Sequence, residues 1–470
     1  MSSRLESKPQ NVGVPGSSGF PSGPLRVDGL ASDGRGVARD AGRVWFVERA
    51  FPGDLVELVQ PRVRSTFGEG RAGRRIEDGP DRRESECTVQ ARCGGCPWMD
   101  LALVAQHRWK RRIVEEALVR IGGFRGVGVE EVVPSPRALG YRNRVEVVLR
   151  RDRRGRPAVG FAGFEPEVGP AVVDVERCAV LDERAAPALD AVRRALLGDP
   201  RLASLWSSPE PFRILVRVGI AGALVAIRGP RAAAAVERAL TEAAERLVAG
   251  GALAGVVRTI AAAGRRGGTR SRALAGAADT EREVAGVRFR IPAGSFTQVN
   301  DEAADRLVEA VVERCSAGPG STVLDLYGGI GAFGWRLAAR GARVTVVEAD
   351  ERAVACGREA RPQAALRTPP AFVHRDARAF LDDHAGALFD AAVANPPRTG
   401  LGRGVAERLA ARTSHTIVVV SCDAATLARD LRVVVASGRW RIARVTPFDL
   451  FPHTPHVEIV TAVERTDSSG

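Results

Sequence analysis

The stretch Thr322–Ala349, TVLDLYGGIGAFGWRLAARGARVTVVEA, predicts a β-strand, a glycine-rich turn, an α-helix and a second strand. Three glycines in the turn, Gly328, Gly329 and Gly331, allow the backbone to bend tightly and a ligand to approach it closely. The second strand ends in Glu348, at the spacing of an acidic residue that accepts hydrogen bonds from a ribose. Nicotinamide, flavin and S-adenosylmethionine sites all use this arrangement, so the stretch alone predicts a nucleoside cofactor without choosing among them.

The alternation of apolar strands and helices continues to the end of the chain. The strand candidates after residue 290 are TVLDLY, RVTVVEA, FDAAVA and TIVVVSC. Nearly continuous apolar strands separated by helices indicate a parallel, doubly wound α/β sheet. We therefore predict four parts: a disordered tail over residues 1–23, a β-barrel over 24–80, an α/β central domain over 81–288, and the doubly wound domain over 289–470.

The two middle parts have weaker patterns. Residues 24–80 contain short strands, as in RVWFVERAFPGDLVELV, followed by several arginines. A small basic barrel of the OB type suits contact with a nucleic-acid backbone, and the alternative is a β-domain that merely exposes arginines. In the central domain, YRNRVEVVLRRDRRGRPAVGF predicts a hairpin that turns at Arg154-Gly155, and GRRGGTRSRALAG predicts a loop.

Charge and composition narrow the class of protein. The 470 residues have a formal net charge of +13, which favours a polyanionic partner such as RNA. No apolar run approaches the roughly 20 residues of a membrane span, and the N-terminus lacks a signal-peptide pattern. We expect a cytoplasmic protein without a membrane contact, and we predict no obligatory protein partner.

The strand candidate FDAAVA and the residues after it distinguish among the possible cofactors. The segment FDAAVANPPRTGL ends its strand in Asn395, followed by two prolines that would hold the amide rigidly against a substrate. In this context the pattern is typical of methyltransferases and favours S-adenosylmethionine. Asp376, in VHRDARAF, occupies the position where such folds bind the adenine amino group, and the alternative is that it caps a helix.

Two further residues suggest covalent chemistry. TIVVVSCDAATLARD places Cys422 at the carboxyl end of a parallel strand, where α/β sites lie, and DLFPHTPHVEIVTAVER places Glu458 on a final strand. A thiolate that adds to C6 of uracil makes C5 nucleophilic, and a carboxylate can then remove the C5 proton. The alternatives are a buried structural cysteine and an ordinary surface glutamate.

Four other cysteines could bind a metal. Cys87, Cys93 and Cys96 are spaced C-x5-C-x2-C, and Cys178 is the candidate fourth ligand. Four thiolates suit either a zinc ion or a [4Fe–4S] cluster, and the residues alone do not decide between them.

Taken together, these segments resemble the RNA (uracil-5-)-methyltransferase family, which modifies tRNA and 23S rRNA. The resemblance runs from about Leu25 to Arg465 and rests on CTVQARCGGC, YRNRVE, GSFTQVN, DLYGGIGAF, NPPRTGL, SCDAATLARD and FPHTPHVE. It implies a TRAM-type barrel and a class I methyltransferase domain. One departure concerns the cofactor pocket, because the family usually has aspartate where Asn395 stands.

The resemblance also implies roles for individual residues. It assigns a [4Fe–4S] cluster to Cys87, Cys93, Cys96 and Cys178, and S-adenosylmethionine contacts to Gln298, Tyr327, Glu348 and Asn395. It makes Cys422 the nucleophile and Glu458 the proton acceptor. Phe296 and Arg142 are hypotheses for base stacking and RNA contact.

Our sequence-based prediction is an enzyme that methylates C5 of a uridine in RNA, with 23S rRNA favoured over tRNA by analogy. Two alternatives stay open. An amino-group methyltransferase of nucleic acids would use Asn395-Pro-Pro and need no thiol. A non-catalytic RNA-binding iron–sulfur protein would neither bind S-adenosylmethionine nor transfer a methyl group.

Overall fold

The computed structural model describes residues 20–165, 169–261, 269–295, 297–384, 386 and 388–466. Most of the predicted N-terminal tail, and Phe296, lie outside these ranges. The chain divides into two compact units, one of residues 1–84 and 100–105 and the other of residues 85–99 and 106–470. The four domain boundaries predicted above remain a prediction. Each helix among the described residues is too short or too polar to cross a lipid bilayer.

The first unit contains a closed five-stranded barrel, as the sequence predicted, in the order β1-β2-β3-β5-β4. Its strands are β1 Leu25–Leu30, β2 Gly36–Asp40, β3 Arg43–Glu48, β4 Leu55–Val63 and β5 Phe67–Glu77. Alternate residues point inward, so Val27, Trp45 and Val56 form the core. Gly68 is needed beside this core, because a Cβ atom there would lie 2.4 Å from the Trp45 ring.

The second unit contains most of a 15-residue α-helix, a π-helical turn and a mixed sheet. Helix α1, Leu103–Ala117, runs into a π-helical turn at Leu118–Gly122. The next elements are β6 Arg144–Arg151, β7 Pro157–Glu165, β8 Gly169–Asp174, α2 Ala186–Gly198, a 3-10 turn at Pro200–Leu202, α3 Ala203–Trp206, β9 Phe212–Gly219, β10 Gly222–Arg228, α4 Ala234–Ala249, β11 Gly255–Ala261 and β12 Thr269–Gly276.

These strands form a seven-stranded sheet in the order β12-β11-β10-β9-β6-β7-β8. The predicted hairpin at Gly155 is confirmed, with β6 and β7 as its strands and a left-handed φ of 79° at the glycine. The predicted loop GRRGGTRSRALAG is wrong over its second half, because β12 pairs antiparallel with β11 at the edge of the sheet. The glycines and arginines of this segment are typical of a loop, and they gave no indication of an edge strand that buries few side chains.

The rest of the chain contains a small sheet, β13-β14-β17, and the large C-terminal sheet. Their elements are β13 Asp279–Val284, β14 Val287–Pro292, α5 Asp301–Cys315, β15 Thr322–Leu326, α6 Ala332–Ala339, β16 Arg343–Glu348, α7 Glu351–Arg358, β17 Arg361–Pro362, β18 Ala371–His374, α8 Ala377–Asp383, β19 Phe389–Ala394, α9 Arg403–Arg412, β20 Thr413–Ser421, α10 Ala424–Val435, β21 Trp440–Phe448 and β22 Glu458–Arg465.

The C-terminal sheet has the order β18-β16-β15-β19-β20-β22-β21. Strands β18, β16, β15, β19 and β20 are parallel, as predicted, whereas β22 pairs antiparallel with both β20 and β21. The prediction of a wholly parallel sheet is wrong at this edge. Residues 449–457 are too few for the crossover that a parallel connection requires, so β21 and β22 form a hairpin. The sheet and its helices share one apolar core.

Candidate active site

Six predicted site residues meet at one edge of the C-terminal sheet. Tyr327 follows β15, Asn395 follows β19 and Cys422 follows β20, while Glu348 ends β16 and Asp376 lies two residues beyond β18. The carboxyl ends of parallel strands share one edge, and this edge is where open α/β sheets bind ligands. The antiparallel strand β22 begins at the same edge with Glu458.

The glycine turn follows β15 through three left-handed residues. Tyr327 has φ 57°, Gly329 has φ 58° and Gly331, which precedes α6, has φ 82°. A side chain in this conformation is strained by roughly 1–3 kcal/mol, and such strain is typical of functional sites. The Glu348 carboxylate fixes the turn, because it accepts hydrogen bonds from the backbone N–H of Gly329 at 3.0 Å and of Asp350 at 2.8 Å.

Tyr327 and Asp376 lie in the same part of the site. Burial, with a smaller contribution from the negative charge of Asp376, raises the pKa of Tyr327 to about 12. Asp376 caps α8, since one carboxylate oxygen accepts the backbone N–H groups of Arg378 at 3.0 Å and Ala379 at 3.1 Å. The helix-cap alternative is therefore present in the structure, and the role in adenine binding stays a prediction.

Gln298 lies in the segment between β14 and α5, where two buried arginines hold the backbone. Arg217 donates to the carbonyl of Ser295 and, at 3.2 Å, to the hydroxyl of Thr297. Arg282 donates to the same hydroxyl at 2.6 Å and to the Gln298 carbonyl at 3.2 Å. Burial lowers the pKa of Arg217 to about 9 and that of Arg282 to about 10.

Cys422 and Glu458 are neighbours across two hydrogen-bonded strands. The register pairs Ser421 with Ile459, and one further step along the same register places Cys422 opposite Glu458. Opposed residues of an antiparallel pair point to the same face, with their Cβ atoms about 5 Å apart. The sequence placed both residues on strands, and the structure brings these strands together. Their catalytic roles remain a prediction.

The electrostatics of this pair depend on burial and on Arg398. Glu458 is only 5% exposed, and the described residues offer its carboxylate no hydrogen-bond donor. Burial raises the pKa of Glu458 to about 7, against the opposing effect of the positive charge of Arg398. Burial and the Glu458 charge raise the pKa of the Cys422 thiol, and Arg398 again opposes the change. The sequence alone did not predict this role of Arg398.

The loop between β21 and β22 is held by a buried ion pair. Asp449 lies 2.5 Å from the ammonium of Lys110 and 3.1 Å from His107, and Lys110 also donates to the Phe451 carbonyl. His456 in this loop is exposed at the surface, and partial desolvation by its neighbours, with a further contribution from the charge of Arg398, lowers its pKa to about 4. His456 is therefore neutral near pH 7. No local pattern predicts the Lys110–Asp449 pair, because 339 residues separate its partners.

The four predicted cysteine ligands line a separate cavity of about 80 Å³, together with Arg142. None of the four forms a disulfide, and burial and the neighbouring thiols raise the pKa of Cys96 to about 12. Among the described residues, no three His, Cys, Asp or Glu side chains are grouped closely enough to hold one metal ion. A cubane cluster separates its ligands more widely than one ion does, so four thiols around a cavity fit it chemically.

Comparisons with known proteins agree with the fold and the position of the site. Residues 286–418 match the methyltransferase small domain, and residues 377–466 match the tRNA (uracil-5-)-methyltransferase family. A strand–glycine turn–helix unit with acidic and amide groups at the strand ends, in a sheet of this order, defines a class I S-adenosylmethionine-dependent methyltransferase fold.

Whole-chain relatives specify the family. An RNA methyltransferase of Gloeobacter violaceus is 33% identical over 94% of this chain and 96% of its own, and one of Thermotoga maritima is 29% identical over 94% and 99%. The solved tRNA (uracil-54, C5)-methyltransferase of Pyrococcus abyssi, with bound S-adenosyl-L-homocysteine, has a TM-score of 0.71 at 25% identity, covering 94% of this chain and 99% of its own. The chain belongs to the RNA (uracil-5-)-methyltransferase family.

Proposed function

We propose that this protein methylates C5 of a uridine in a folded RNA through a covalent bond between Cys422 and C6 of the base. The observation that carries the proposal is the pairing of a thiol and a nearly buried carboxylate on adjacent strands, at the edge where the cofactor-type residues also lie. Neither an amino-group methyltransferase nor an RNA-binding protein without activity requires this pair.

Cys422 performs the first step. Its thiolate adds to C6 of the uracil ring, and the electron pair of the C5=C6 bond moves to C5 and the adjacent carbonyl. S-adenosylmethionine, when bound, supplies the methyl group that C5 acquires. Burial raises the pKa of Cys422, so the positive charge of Arg398 is needed to favour the thiolate.

Glu458 performs the last step. C5 then carries both a hydrogen and the new methyl group, and the Glu458 carboxylate removes this hydrogen as a proton. The electron pair of the C5–H bond re-forms the C5=C6 double bond and expels the Cys422 thiolate. A carboxylate with a pKa of about 7 is a stronger base than an ordinary glutamate and is still half ionised at neutral pH.

The residues proposed to hold the cofactor fit an adenosyl group. Glu348 retains acceptor capacity for ribose hydroxyls beside the turn that it fixes, and Gly329 leaves open space where a side chain would stand. Tyr327 and Asp376 lie near each other where an adenine could be bound. Gln298 and Asn395 complete the proposed set.

We also propose that Cys87, Cys93, Cys96 and Cys178 hold a [4Fe–4S] cluster. Such a cluster would link the short turns of residues 87–96 to the segment after β8, so its contribution would be structural. The lining of the cavity supports it chemically, with four cysteines that form no disulfide beside the guanidinium of Arg142.

The proposed substrate is a uridine within a folded RNA. A uridine in a folded RNA must leave its stack, at a cost of a few kcal/mol, to reach Cys422. We propose that the N-terminal barrel is a TRAM domain that binds RNA, and that 23S rRNA is the substrate. The solved relative from Pyrococcus abyssi acts on tRNA, so a tRNA uridine is the second candidate.

The decisive test uses RNA that contains 5-fluorouridine. A base cannot remove fluorine from C5 as it removes a proton. Glu458 therefore cannot complete the last step, and the enzyme stays bonded to the base. With S-adenosylmethionine and transcripts of 23S rRNA and of the tRNA set, we expect an adduct that survives denaturing electrophoresis. Mass spectrometry should locate it at Cys422.

Two cysteine variants control this test. Cys422→Ala should abolish both the adduct and methyl transfer, whereas Cys356→Ala, at a buried cysteine of α7, should leave both intact. Methyl transfer that persists in Cys422→Ala would overturn the proposal in favour of the amino-group alternative. Absence of S-adenosylmethionine binding by the wild type would favour the non-catalytic alternative.

A further inference from the structure

One edge of the sheet formed by β6 to β12 is lined by arginines that the catalytic proposal does not use. The registers bring the end of β6, the start of β9, the ends of β10 and β11 and the start of β12 to this edge. We call it the arginine edge, and it comprises Arg150, Arg151, Arg153, Arg154, Arg156, Arg213, Arg228, Arg231, Arg270 and Arg272.

The β6–β7 hairpin forms the most prominent part of the arginine edge, and a buried carboxylate folds it. Asp152 is 8% exposed and accepts the backbone N–H of Arg154 at 2.9 Å, that of Arg156 at 2.8 Å, and the Arg156 side chain at 3.0 Å. The only acidic residue of the turn thus points inward. The side chains of Arg153 and Arg154 are exposed at its tip.

Two ion pairs along the arginine edge are weak enough for a stronger anion to replace them. Glu146 lies 3.2 Å from both Arg213 and Arg228, and all three side chains are accessible to solvent. Exposed pairs of this kind contribute about 0–1 kcal/mol. Guanidinium groups bind phosphate in a bidentate manner, and such hydrogen bonds to charged groups are about twice as strong as neutral ones.

The arginine edge is remote from the active site. At the opposite end of β6, Asn143 donates its backbone N–H to the Val299 carbonyl at 2.9 Å and its side chain to the Gln298 carbonyl at 3.3 Å. Strand β6 separates the two ends by eight residues, or about 25 Å at roughly 3.3 Å per residue. A single flipped nucleotide in the active site cannot reach the arginine edge.

We propose that the arginine edge is a second RNA-binding surface, which grips backbone phosphates about 25 Å from the Gln298 segment of the active site. This inference rests on the proposed function and deepens it, because it makes the substrate an extended RNA rather than a short loop. A row of guanidinium groups matches a phosphate backbone. The large hydrophobic side chains exposed among the described residues lie elsewhere, so the surface does not suit a lipid bilayer.

The test compares two double charge reversals. Arg153→Glu with Arg154→Glu alters the hairpin tip. The matched control, Arg432→Glu with Arg439→Glu, alters two exposed arginines at the end of α10 and before β21, on the opposite side of the C-terminal sheet from the active site. The probe is a generic 30-base-pair RNA hairpin, because phosphate contacts are independent of sequence.

Fluorescence anisotropy over a series of KCl concentrations gives the affinity and its salt dependence. The hairpin-tip variant should bind the RNA at least fivefold more weakly at low salt, and the slope of log Kd against log salt should fall by about one for each lost phosphate contact. The control should match the wild type. An equal loss in both variants would overturn the proposal, as would equally tight binding of poly-glutamate by the wild type.

RNA length provides a second arm. A trinucleotide that contains uridine is too short to span both surfaces, so the hairpin-tip variant should bind it as the wild type does. If only the long RNA is affected but no RNA is ever methylated, the arginine edge stands and the catalytic proposal fails. If the charge reversal prevents folding, as circular dichroism would show, Arg153→Ala with Arg154→Ala replaces it under the same expectations.

Discussion

At the scale of single residues, the proposed activity depends on the pKa of one nearly buried carboxylate, that of Glu458. Glu458 must be ionised to remove the C5 proton, and its pKa of about 7 is well above the ordinary 4.5. Methyl transfer should therefore speed up between pH 6 and pH 8 as Glu458 ionises and go on rising at higher pH as the Cys422 thiol ionises, whereas an ordinary glutamate would leave only the rise due to the thiol. Single-turnover methylation measured across this range tests the prediction, and a flat profile would contradict it.

The same ionisation affects stability in the opposite direction. Because the pKa of Glu458 is higher in the folded than in the unfolded state, stability declines as the pH rises from 4.5 to about 7, by roughly 3 kcal/mol. Glu458→Gln removes this decline. We expect the variant to melt at a higher temperature than the wild type at pH 8, while its turnover falls about 10²–10⁴-fold. Equal melting temperatures at pH 8 would show that the carboxylate is better solvated than the structure indicates.

A third residue, Arg398, affects both groups. Its positive charge lowers the pKa of Cys422 and of Glu458, against the effect of burial. Arg398→Gln should raise the pKa of Cys422 further and slow its alkylation by iodoacetamide at pH 7.5 roughly three- to tenfold. Arg398→Lys should restore most of the rate. Arg403→Gln is the control, because Arg403 pairs with Glu407 on α9 and does not act on the thiol. Unchanged alkylation in Arg398→Gln would remove Arg398 from the mechanism.

At the scale of elements, helix α1 positions the loop that leads to Glu458. Lys110 and Asp449 are both fully buried, so removing one partner leaves an uncompensated charge. Lys110→Ala should lower the free energy of unfolding by about 3–5 kcal/mol, and Lys110→Met with Asp449→Leu should recover most of it. Chemical denaturation measures both, and a double variant as unstable as the single one would mean that the pair fixes the loop in a way that apolar packing cannot replace.

The elements also show what the sequence could predict. Tyr327, Glu348, Asn395 and Cys422 were predictable as one site, because each follows or ends an apolar strand and parallel strands share their carboxyl edge. The antiparallel β22, the buried arginines that hold Gln298 and the Lys110–Asp449 pair were not. They depend on contacts between distant segments, which leave no local pattern of hydrophobicity or turn residues.

At the scale of the whole molecule, the cysteine cavity can be tested apart from catalysis. We expect protein purified without oxygen to contain about four iron and four sulfide per chain, the composition of the proposed cluster. Cys178→Ser should lower both, since one ligand of four is lost, and it should make residues 85–99 more sensitive to trypsin. Cys315→Ser, at a cysteine buried in α5, should leave the metal content unchanged. Iron-free wild type with intact resistance to trypsin would contradict the prediction.

The β20–β22 ladder implies a rule for which changes in length the enzyme can accept. Backbone hydrogen bonds set the spacing of thiol and carboxylate, so the two groups face each other as long as the pairing of β20 with β22 is unchanged. A single residue deleted within β22 would turn alternate side chains over and send the proposed proton acceptor to the far face of the sheet. Lineages related to this chain must therefore keep this strand at constant length.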